Sequence, residues 1–237
     1  MPGEHPITPP PLPMSGDRAD RSLRTVVVFG GTFDPPHKGH VHLPLLAVRH
    51  LELKLEEEKG AWVLYVPAAR SPHKAAGPVA SDGQRVEMLT LAVSHLPRCS
   101  VWTDEIDRAA AGEPSYTIDT LRRLRDWLDG HDGDDVRLRL LIGADQAAAI
   151  DRWREPAAIV ALAEPLVMAR VAGGAEEAPP KLPAHLGDWS ARMLPVPKLD
   201  ASSTAARAAL AAGDEASLRR LLDAPVLAYI RSNGLYA

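Results

Sequence analysis

The feature that most constrains the fold is a regular alternation of short apolar runs and longer helical patterns along most of the chain. Short apolar runs are typical of strands that are buried on both faces of a parallel sheet. They cover residues 25–29, 61–66, 100–103, 138–142, 166–169 and 192–196, and the helical patterns cover residues 40–54, 82–96, 117–128, 145–152 and 156–162. Repeated β-α units in one sheet need right-handed crossovers and bind ligands at the carboxyl ends of the strands. The pattern therefore predicts an α/β fold with a doubly wound parallel sheet.

The last part of the chain has only helical patterns, over residues 205–212, 215–222 and 225–232. We expect a Rossmann-like domain over residues 23–200, with residues 201–237 as a small C-terminal helical subdomain of the same domain. Residues 1–22 are rich in proline and polar residues and lack an apolar segment typical of a signal peptide, so they predict a disordered tail. Residues 171–188, which are rich in glycine, proline and alanine, predict a mobile loop near the site.

The turn after the first apolar run has the composition of a phosphate-binding site. Its sequence, G-G-T-F-D-P-P-H-K-G-H over residues 30–40, places two glycines where a strand ends, so the backbone can approach a ligand closely. The prolines delay the helix until about residue 37, and a helix N-terminus there can bind an anion. His37 and His40 are three positions apart and therefore share one helix face. The spacing differs from both the P-loop and the G-x-G-x-x-G fingerprint.

A zinc site is the alternative interpretation of this turn, because His37 and His40 stand near Asp34 in the sequence. The chain contains no H-E-x-x-H motif and one cysteine, Cys99, so no cysteine cluster supports zinc. We therefore predict no metal site built from side chains. A single cysteine also excludes an internal disulfide, which favours a reducing, cytoplasmic setting.

Composition narrows the range of partners. The chain has 237 residues and a net charge of -4, which argues against binding nucleic acid through a broad basic surface. Its apolar runs all fall short of the roughly 18 residues needed to cross a bilayer, so we expect no membrane partner. The chain length and the net charge are compatible with local recognition of a small phosphorylated molecule. The sequence gives no indication of oligomeric state.

Residues 30–40 resemble the H-x-G-H signature of the nucleotidyltransferase superfamily, in the form found in bacterial nicotinate-nucleotide adenylyltransferases. Residues 200–207, D-A-S-S-T-A-A-R, resemble the superfamily's second signature, I-S-S-T-x-x-R, with Ala201 in place of isoleucine. The intervening segments occur in the family's order, namely S-P-H-K at 71–74, S-Y-T-I-D-T-L at 115–121, I-G-A-D at 142–145 and Trp153. The resemblance covers nearly the whole chain from residue 25 to residue 236.

The resemblance implies that the protein transfers the adenylyl group of ATP to nicotinate mononucleotide, which yields deamido-NAD and pyrophosphate in NAD biosynthesis. The attacking phosphate needs no general base, because its second pKa of about 6 leaves it mostly dianionic at neutral pH. Catalysis then consists of positioning and of stabilising charge on the phosphoryl oxygens. A Mg²⁺ ion is expected with the leaving pyrophosphate, held mainly by ATP phosphates and water.

The resemblance also implies which residues form the site. The catalytic set is His37, His40, Lys74 and Arg207. The set that binds ATP is Gly30, Gly31, Thr32, Phe33, His37, His40, Gly143, Asp145, Ser203, Thr204 and Arg207. Within it, His40 is expected at the α-phosphate and Arg207 at the β and γ phosphates, one turn after the start of a helix. Asp145 is either the N-cap of the next helix or an acceptor for the adenosine, and both roles are compatible.

The set that binds the pyridine mononucleotide is implied to be Thr32, Lys74, Tyr116, Thr117 and Trp153. A tryptophan face can stack on a planar pyridine ring, and Thr117 with nearby backbone N–H groups can bind a carboxylate or carboxamide. The alternative for Trp153 is a place in the core. The segment R-V-A-G at 170–173 departs from the family's Arg-Pro-Gly, so the loop that follows is expected to differ.

Two other functions are also compatible with the sequence. One is a related nucleotidyltransferase with another acceptor, such as nicotinamide mononucleotide or phosphopantetheine. The other is a nucleotide-binding protein without turnover, whose expected mark is the loss of a motif histidine or of Arg207. The residues themselves do not rank nicotinate against nicotinamide, so the deamido preference rests on the resemblance.

Overall fold

The computed structural model describes residues 8–20, 22–54, 60–69, 77–171, 182–197 and 199–236. The strands are β1 Met14–Ser15, β2 Arg18–Ala19, β3 Thr25–Gly31, β4 Trp62–Pro67, β5 Cys99–Val101, β6 Arg137–Gly143, β7 Glu164–Val171 and β8 Met193–Pro197. The helices are α1 Lys38–Lys54, α2 Asp82–Val93, α3 Asp104–Ala110, α4 Thr117–Asp129, α5 Ala144–Ala148, α6 Pro156–Leu162, α7 Ser203–Ala212, α8 Glu215–Leu221 and α9 Ala224–Ser232. Short 3₁₀ turns occur at Ile150–Arg152, Ala184–Leu186 and Ser190–Arg192.

Six strands form one parallel sheet in the order β5-β4-β3-β6-β7-β8. The chain builds one half of the sheet outward from β3 through β4 to β5, and the other half from β6 through β7 to β8. The direction of winding therefore reverses between β3 and β6, where Phe29 pairs with Leu141. This order confirms the predicted doubly wound, Rossmann-like sheet, and its switch point is where such sheets bind ligands.

Helices cover both faces of the sheet, which explains the nearly continuous apolar runs of the strands. In β3, Val27 contributes to one buried cluster, whereas Val26 and Val28 contribute to the other. Met88 of α2 packs in the first cluster and Leu124 of α4 packs in the second. The alternation along β3 thus assigns successive residues to opposite layers of the core.

The C-terminal helices pack onto the same face as α1 and α2. Ala206 of α7, Leu218 of α8 and Ile230 of α9 all belong to the first cluster. Lys38 Nζ donates a hydrogen bond to the carbonyl oxygen of Arg219 at 2.7 Å, so it joins the start of α1 to the last turn of α8. The helical part therefore shares its core with the sheet, and the boundary near residue 200 stays a prediction.

The predicted disordered tail is wrong for residues 8–20. Strands β1 and β2 form an antiparallel hairpin, and Leu12 is buried in the second cluster. The indole N–H of the buried Trp102 donates to the carbonyl oxygen of Thr8 at 2.7 Å. The physical reason is that a buried indole N–H needs an acceptor, and this segment supplies one from 94 positions away. Residues 1–7 lie outside the described residues.

The remaining differences concern short elements. The predicted helix over 145–152 is α5 followed by a 3₁₀ turn, and α3 has no counterpart in the apolar pattern. Within the predicted loop 171–188, Leu186 is buried in a 3₁₀ turn, and the indole N–H of Trp189 donates to the carbonyl oxygen of Pro183 at 3.0 Å. Residues 172–181 lie outside the described residues. None of the helices in the described ranges is long and apolar enough to cross a membrane.

Candidate active site

The turn after β3 is shaped by the packing of Phe33. Its backbone is left-handed, with φ of 50°, and its ring is buried. A Cβ added to Gly31 would lie 2.9 Å from the Phe33 ring, closer than real Cβ atoms approach. At Gly30 the nearest such contact is the carbonyl oxygen of Val66, at 3.9 Å. Gly31 is therefore required because the aromatic ring of Phe33 folds back over it. At Gly30, space remains beside the backbone at the end of the strand.

His37 and His40 lie at the start of α1 with their rings stacked. The ring centroids are 3.7 Å apart and the ring planes differ by 27°. The backbone N–H of His37 donates to Nδ1 of His40 at 3.2 Å. An imidazole whose Nδ1 accepts a hydrogen bond carries its proton on Nε2, so Nε2 is the donor that His40 can offer to a ligand.

Two further contacts fix these imidazoles. A Cβ added to Gly39 would lie 2.9 Å from Cε1 and Nδ1 of the buried His37 ring, so only glycine leaves room for it. The ring of His40 meets Phe33 edge-on, with centroids 5.0 Å apart. Phe33 in turn contacts Phe29, which pairs with Tyr65 on the neighbouring strand. Aromatic rings anchored in the sheet thus orient His40.

The second motif packs directly against this turn. Ser202 is the N-cap of α7, since its side chain accepts from the backbone N–H of Ala205 at 3.0 Å. Ser203 Oγ donates to the carbonyl oxygen of Pro35 at 2.9 Å, and Arg207 Nη1 donates to the carbonyl oxygen of Asp34 at 2.6 Å.

Thr204 lies in the first turn of α7, and its Oγ1 accepts from Arg207 Nη2 at 3.5 Å. A helix N-terminus, hydroxyl groups and a guanidinium therefore lie beside the two histidines, although the motifs are about 170 positions apart. Together these groups form a set of donors suited to a chain of phosphates.

Gly143 ends β6, the strand next to β3 at the switch point. It is the N-cap of α5, and its N–H donates to the side-chain oxygen of Gln146 at 3.2 Å. Asp145 therefore stands inside the first turn of α5, and the N-cap alternative for Asp145 is wrong. Its exposed carboxylate leaves the second alternative, an acceptor for the adenosine.

The residues expected to contact the pyridine ring lie at the start of α4 and after the 3₁₀ turn that follows α5. Tyr116 precedes α4 and Thr117 is its first residue. Tyr116 and Trp153 are partly buried and pack against the second cluster, and the Arg154 guanidinium lies 4.7 Å from the centre of the Tyr116 ring. Trp153 thus combines core packing with partial exposure. Lys74, with the rest of segment 71–74, lies outside the described residues.

Sequence reasoning missed Arg85, which is fully buried on α2. Its Nη1 donates to the carbonyl oxygens of Thr32 and Ala68 at 2.6 and 2.7 Å, and its Nη2 donates to the carbonyl oxygen of Ala69 at 3.2 Å. Nη2 also pairs with Asp82 at 2.6 Å. This single guanidinium holds the ends of β3 and β4 together. The available signal was an arginine at the first position of the apolar i, i+3, i+4, i+7 stripe of α2.

The carboxylate of Asp34, the candidate zinc ligand in the sequence, has protein donors as partners in the structure. Oδ2 accepts from the backbone N–H of Val79 at 2.8 Å, and Oδ1 accepts from that of Ala80 at 3.1 Å. Oδ1 also accepts from the hydroxyl of Tyr236 at 2.6 Å. The side chain is buried, so these hydrogen bonds compensate for its loss of hydration.

The fold and the site together define a nucleotide-binding transferase. The sheet is doubly wound, and its switch point carries two stacked histidines, a helix that starts with serine and threonine, and an arginine. The cytidylyltransferase-like family model matches residues 28–209. A Chromobacterium violaceum protein named "probable nicotinate-nucleotide adenylyltransferase" is 38% identical over 226 residues, which cover 89% of this chain and 98% of the relative. A Thermus thermophilus protein with the same name is 37% identical over 210 residues, covering 88% and 97%.

The fold is similar to that of a Plasmodium falciparum nicotinic acid mononucleotide adenylyltransferase solved in complex with NaAD, with a TM-score of 0.63. The two sequences are 16% identical, and the match covers 90% of this chain and 97% of the Plasmodium chain. At this identity the similarity supports the fold alone. The chain belongs to the cytidylyltransferase-like family and, by its relatives, to the nicotinate-nucleotide adenylyltransferases within it. The resemblance predicted from the two motifs is confirmed.

Proposed function

We propose that the protein transfers the adenylyl group of ATP to nicotinate mononucleotide, with deamido-NAD and pyrophosphate as products. The observation that carries this proposal is the contact between the two motifs. Arg207 and Ser203 of α7 donate to the backbone of Asp34 and Pro35, immediately before His37. Cationic and N–H donors from both motifs therefore converge on one turn at the switch point of the sheet.

The reaction needs donors rather than a base. The mononucleotide phosphate is mostly dianionic at neutral pH and attacks the α-phosphorus of ATP, and pyrophosphate leaves from the opposite side. Negative charge then spreads over the oxygens of the transferred and leaving groups. The residues of the site must hold these groups in line and stabilise that charge.

His40 is the residue best placed to contact the transferred phosphoryl group. Its Nδ1 already accepts from the backbone N–H of His37, so Nε2–H is oriented as a donor before the substrate arrives. Preorganised donors of this kind typically contribute about 10²- to 10³-fold to a rate. His37, stacked against His40, supplies a second imidazole beside the same phosphates.

Arg207 and the first turn of α7 are proposed to hold the β and γ phosphates. The helix N-terminus offers backbone N–H groups and the positive end of its dipole, and Ser203 and Thr204 add hydroxyl groups. Gly30, Gly31, Thr32 and Phe33 would contribute backbone along the phosphates. The Gly143 and Asp145 segment, at the neighbouring strand end, would contact the adenosine.

We propose that the pyridine part of the mononucleotide is recognised by Tyr116, Thr117 and Trp153. Its phosphate would be contacted by Thr32 and Lys74. Thr117 stands at the N-terminus of α4, where N–H groups and a hydroxyl suit a carboxylate. The partly buried Trp153 offers a ring on which the pyridine can stack. We further propose that the protein works in the cytoplasm, where its one cysteine stays reduced.

Among the residues that the structure describes, no group of three or more His, Cys, Asp or Glu side chains is arranged to hold the expected Mg²⁺. Asp34, the carboxylate nearest the histidines in sequence, accepts hydrogen bonds from protein donors with both oxygens. Mg²⁺ is therefore proposed to bind through ATP phosphates and water, where it would neutralise charge on the leaving pyrophosphate.

The direct test is pyrophosphate release from MgATP by the purified protein, with nicotinate mononucleotide, nicotinamide mononucleotide and phosphopantetheine as separate acceptors. Release that depends on nicotinate mononucleotide supports the proposal. Release with a different acceptor alone would retain the nucleotidyltransferase chemistry and reject the proposed pyridine site. The absence of pyrophosphate release with all three acceptors would indicate a nucleotide-binding protein without turnover.

A further inference from the structure

The carboxylate of Asp34 joins three separate parts of the chain at the catalytic turn. It accepts from the backbone N–H groups of Val79 and Ala80, just before α2, and from the hydroxyl of Tyr236, which follows α9. The backbone carbonyl of the same residue accepts from Arg207 Nη1. Any shift of Asp34 would therefore be transmitted to Arg207 and to the turn that leads into His37.

Tyr236 has an unusual backbone conformation at the position where it makes this contact. Its backbone is left-handed, with φ of 62°, a conformation that residues other than glycine rarely adopt unless their surroundings stabilise it. Its hydroxyl donates to Asp34 Oδ1 at 2.6 Å, the length of a strong O–H···O⁻ hydrogen bond. Burial and then this hydrogen bond raise the pKa of Tyr236 above its usual value, so the hydroxyl stays protonated as a donor.

We propose that Tyr236 is a positioning residue for adenylyl transfer, acting through Asp34 on the turn that carries the histidines and on Arg207. This inference rests on the proposed function. Its role is to fix the orientation of the carboxylate that orders the turn, without contacting the phosphates. The Arg207 guanidinium lies 4.0 Å from Oδ2, the other oxygen of the same carboxylate.

The first experiment compares Tyr236→Phe with Tyr229→Phe. Tyr229 is a partly buried tyrosine of α9 in the same C-terminal helical part, packed against the first cluster, so it controls for the loss of any hydroxyl there. We expect Tyr236→Phe to lower kcat about tenfold, as loss of a hydrogen bond to a charged acceptor predicts, with the KM for the mononucleotide unchanged within about twofold. Tyr229→Phe should stay within twofold of the unchanged protein in both constants.

A purely structural role for Tyr236 would instead lower the melting temperature and leave kcat of the folded protein unchanged. That result, or an equal loss of kcat in both variants, would overturn the proposal. Circular dichroism and thermal unfolding of both variants separate the two explanations.

The second experiment does not require turnover. Calorimetric titration with MgATP measures the dissociation constants of the unchanged protein, Tyr236→Phe, Asp34→Asn and the double variant. If Tyr236 acts through Asp34, Tyr236→Phe should weaken ATP binding about fivefold and add little to Asp34→Asn. Additive effects of the two substitutions would contradict the proposal. If the unchanged protein releases no pyrophosphate, the proposed function fails, while this cycle still decides whether the Tyr236 contact orders the ATP site.

Discussion

The imidazole rings of His37 and His40 are stacked 3.7 Å apart, and the backbone N–H of one donates to Nδ1 of the other. The two histidines therefore fix each other's position. The backbone hydrogen bond selects the tautomer of His40, and the stacking holds its ring in place, so that Nε2 is a donor with a defined direction. Such a donor suits a reaction whose transition state gains charge on phosphoryl oxygens.

Replacement of His40 should abolish most of the turnover without unfolding the protein. We expect His40→Ala to lower kcat by about 10²- to 10³-fold, because it removes the donor that we propose acts on the transition state. His42→Ala is the matched control, since His42 is exposed on the same helix two positions further on. Pyrophosphate release measures both variants. Turnover by His40→Ala at the rate of the control would reject His40 as a catalytic residue.

Gly39 should tolerate no side chain. In Gly39→Ala the new Cβ would lie 2.9 Å from the His37 ring, which must move away from the stack. We expect a loss of about ten- to a hundredfold in kcat, since small displacements of positioning groups are costly. Gly83→Ala is the control, because nothing lies within 4 Å of that Cβ and alanine favours its helix. Equal kcat values for the two variants would show that the His37 position is irrelevant to turnover.

Loss of Arg85 should destabilise the fold. Arg85→Met removes the donor shared by the carbonyl oxygens of Thr32, Ala68 and Ala69, which would leave backbone acceptors unsatisfied in a buried site. We expect the free energy of unfolding to fall by about 2–4 kcal/mol, measured by urea denaturation. Arg49→Met, at an exposed position of α1, should change it by less than about 0.5 kcal/mol. A change equally small in Arg85→Met would contradict the bridging role of this guanidinium.

Glu105 should make stability depend on pH. Burial, and then the neighbouring charge of Asp104, raise the pKa of Glu105 from its usual 4.5 to about 7. The folded state therefore binds a proton that the unfolded state has already released between these values. The stabilisation is complete below pH 4.5 and is lost as the pH rises through 7.

We expect the free energy of unfolding to decrease by about 2 kcal/mol from pH 5 to pH 8 through this group, and Glu105→Gln to remove that part of the slope. Urea denaturation at several pH values measures it. Glu87→Gln, at an exposed position of α2, is the control and should keep the slope. An unchanged slope in Glu105→Gln would show that Glu105 does not carry the proton.

Local patterns predicted much of this molecule, because strand and helix periods are properties of neighbouring residues. The apolar runs gave the six strands of the sheet to within two or three residues, and the two motifs indicated the family. The sequence patterns did not predict the hairpin before β3 or helix α3, since neither element has a local apolar period. Thr8 is ordered through the indole of Trp102, a partner that no local pattern reveals.

Sequence alone determined the α/β alternation, the doubly wound sheet and the identity of the motif residues, because these depend on local periodicity and on motif chemistry. Only the tertiary structure decided how the motifs meet. It joined Arg207 to Asp34 across 173 positions, assigned the N-cap of α5 to Gly143, and brought Arg85 and Tyr236 to the turn between β3 and α1. Such contacts arise from the packing of elements distant in sequence, where a buried donor or acceptor bonds to whichever group the fold places beside it.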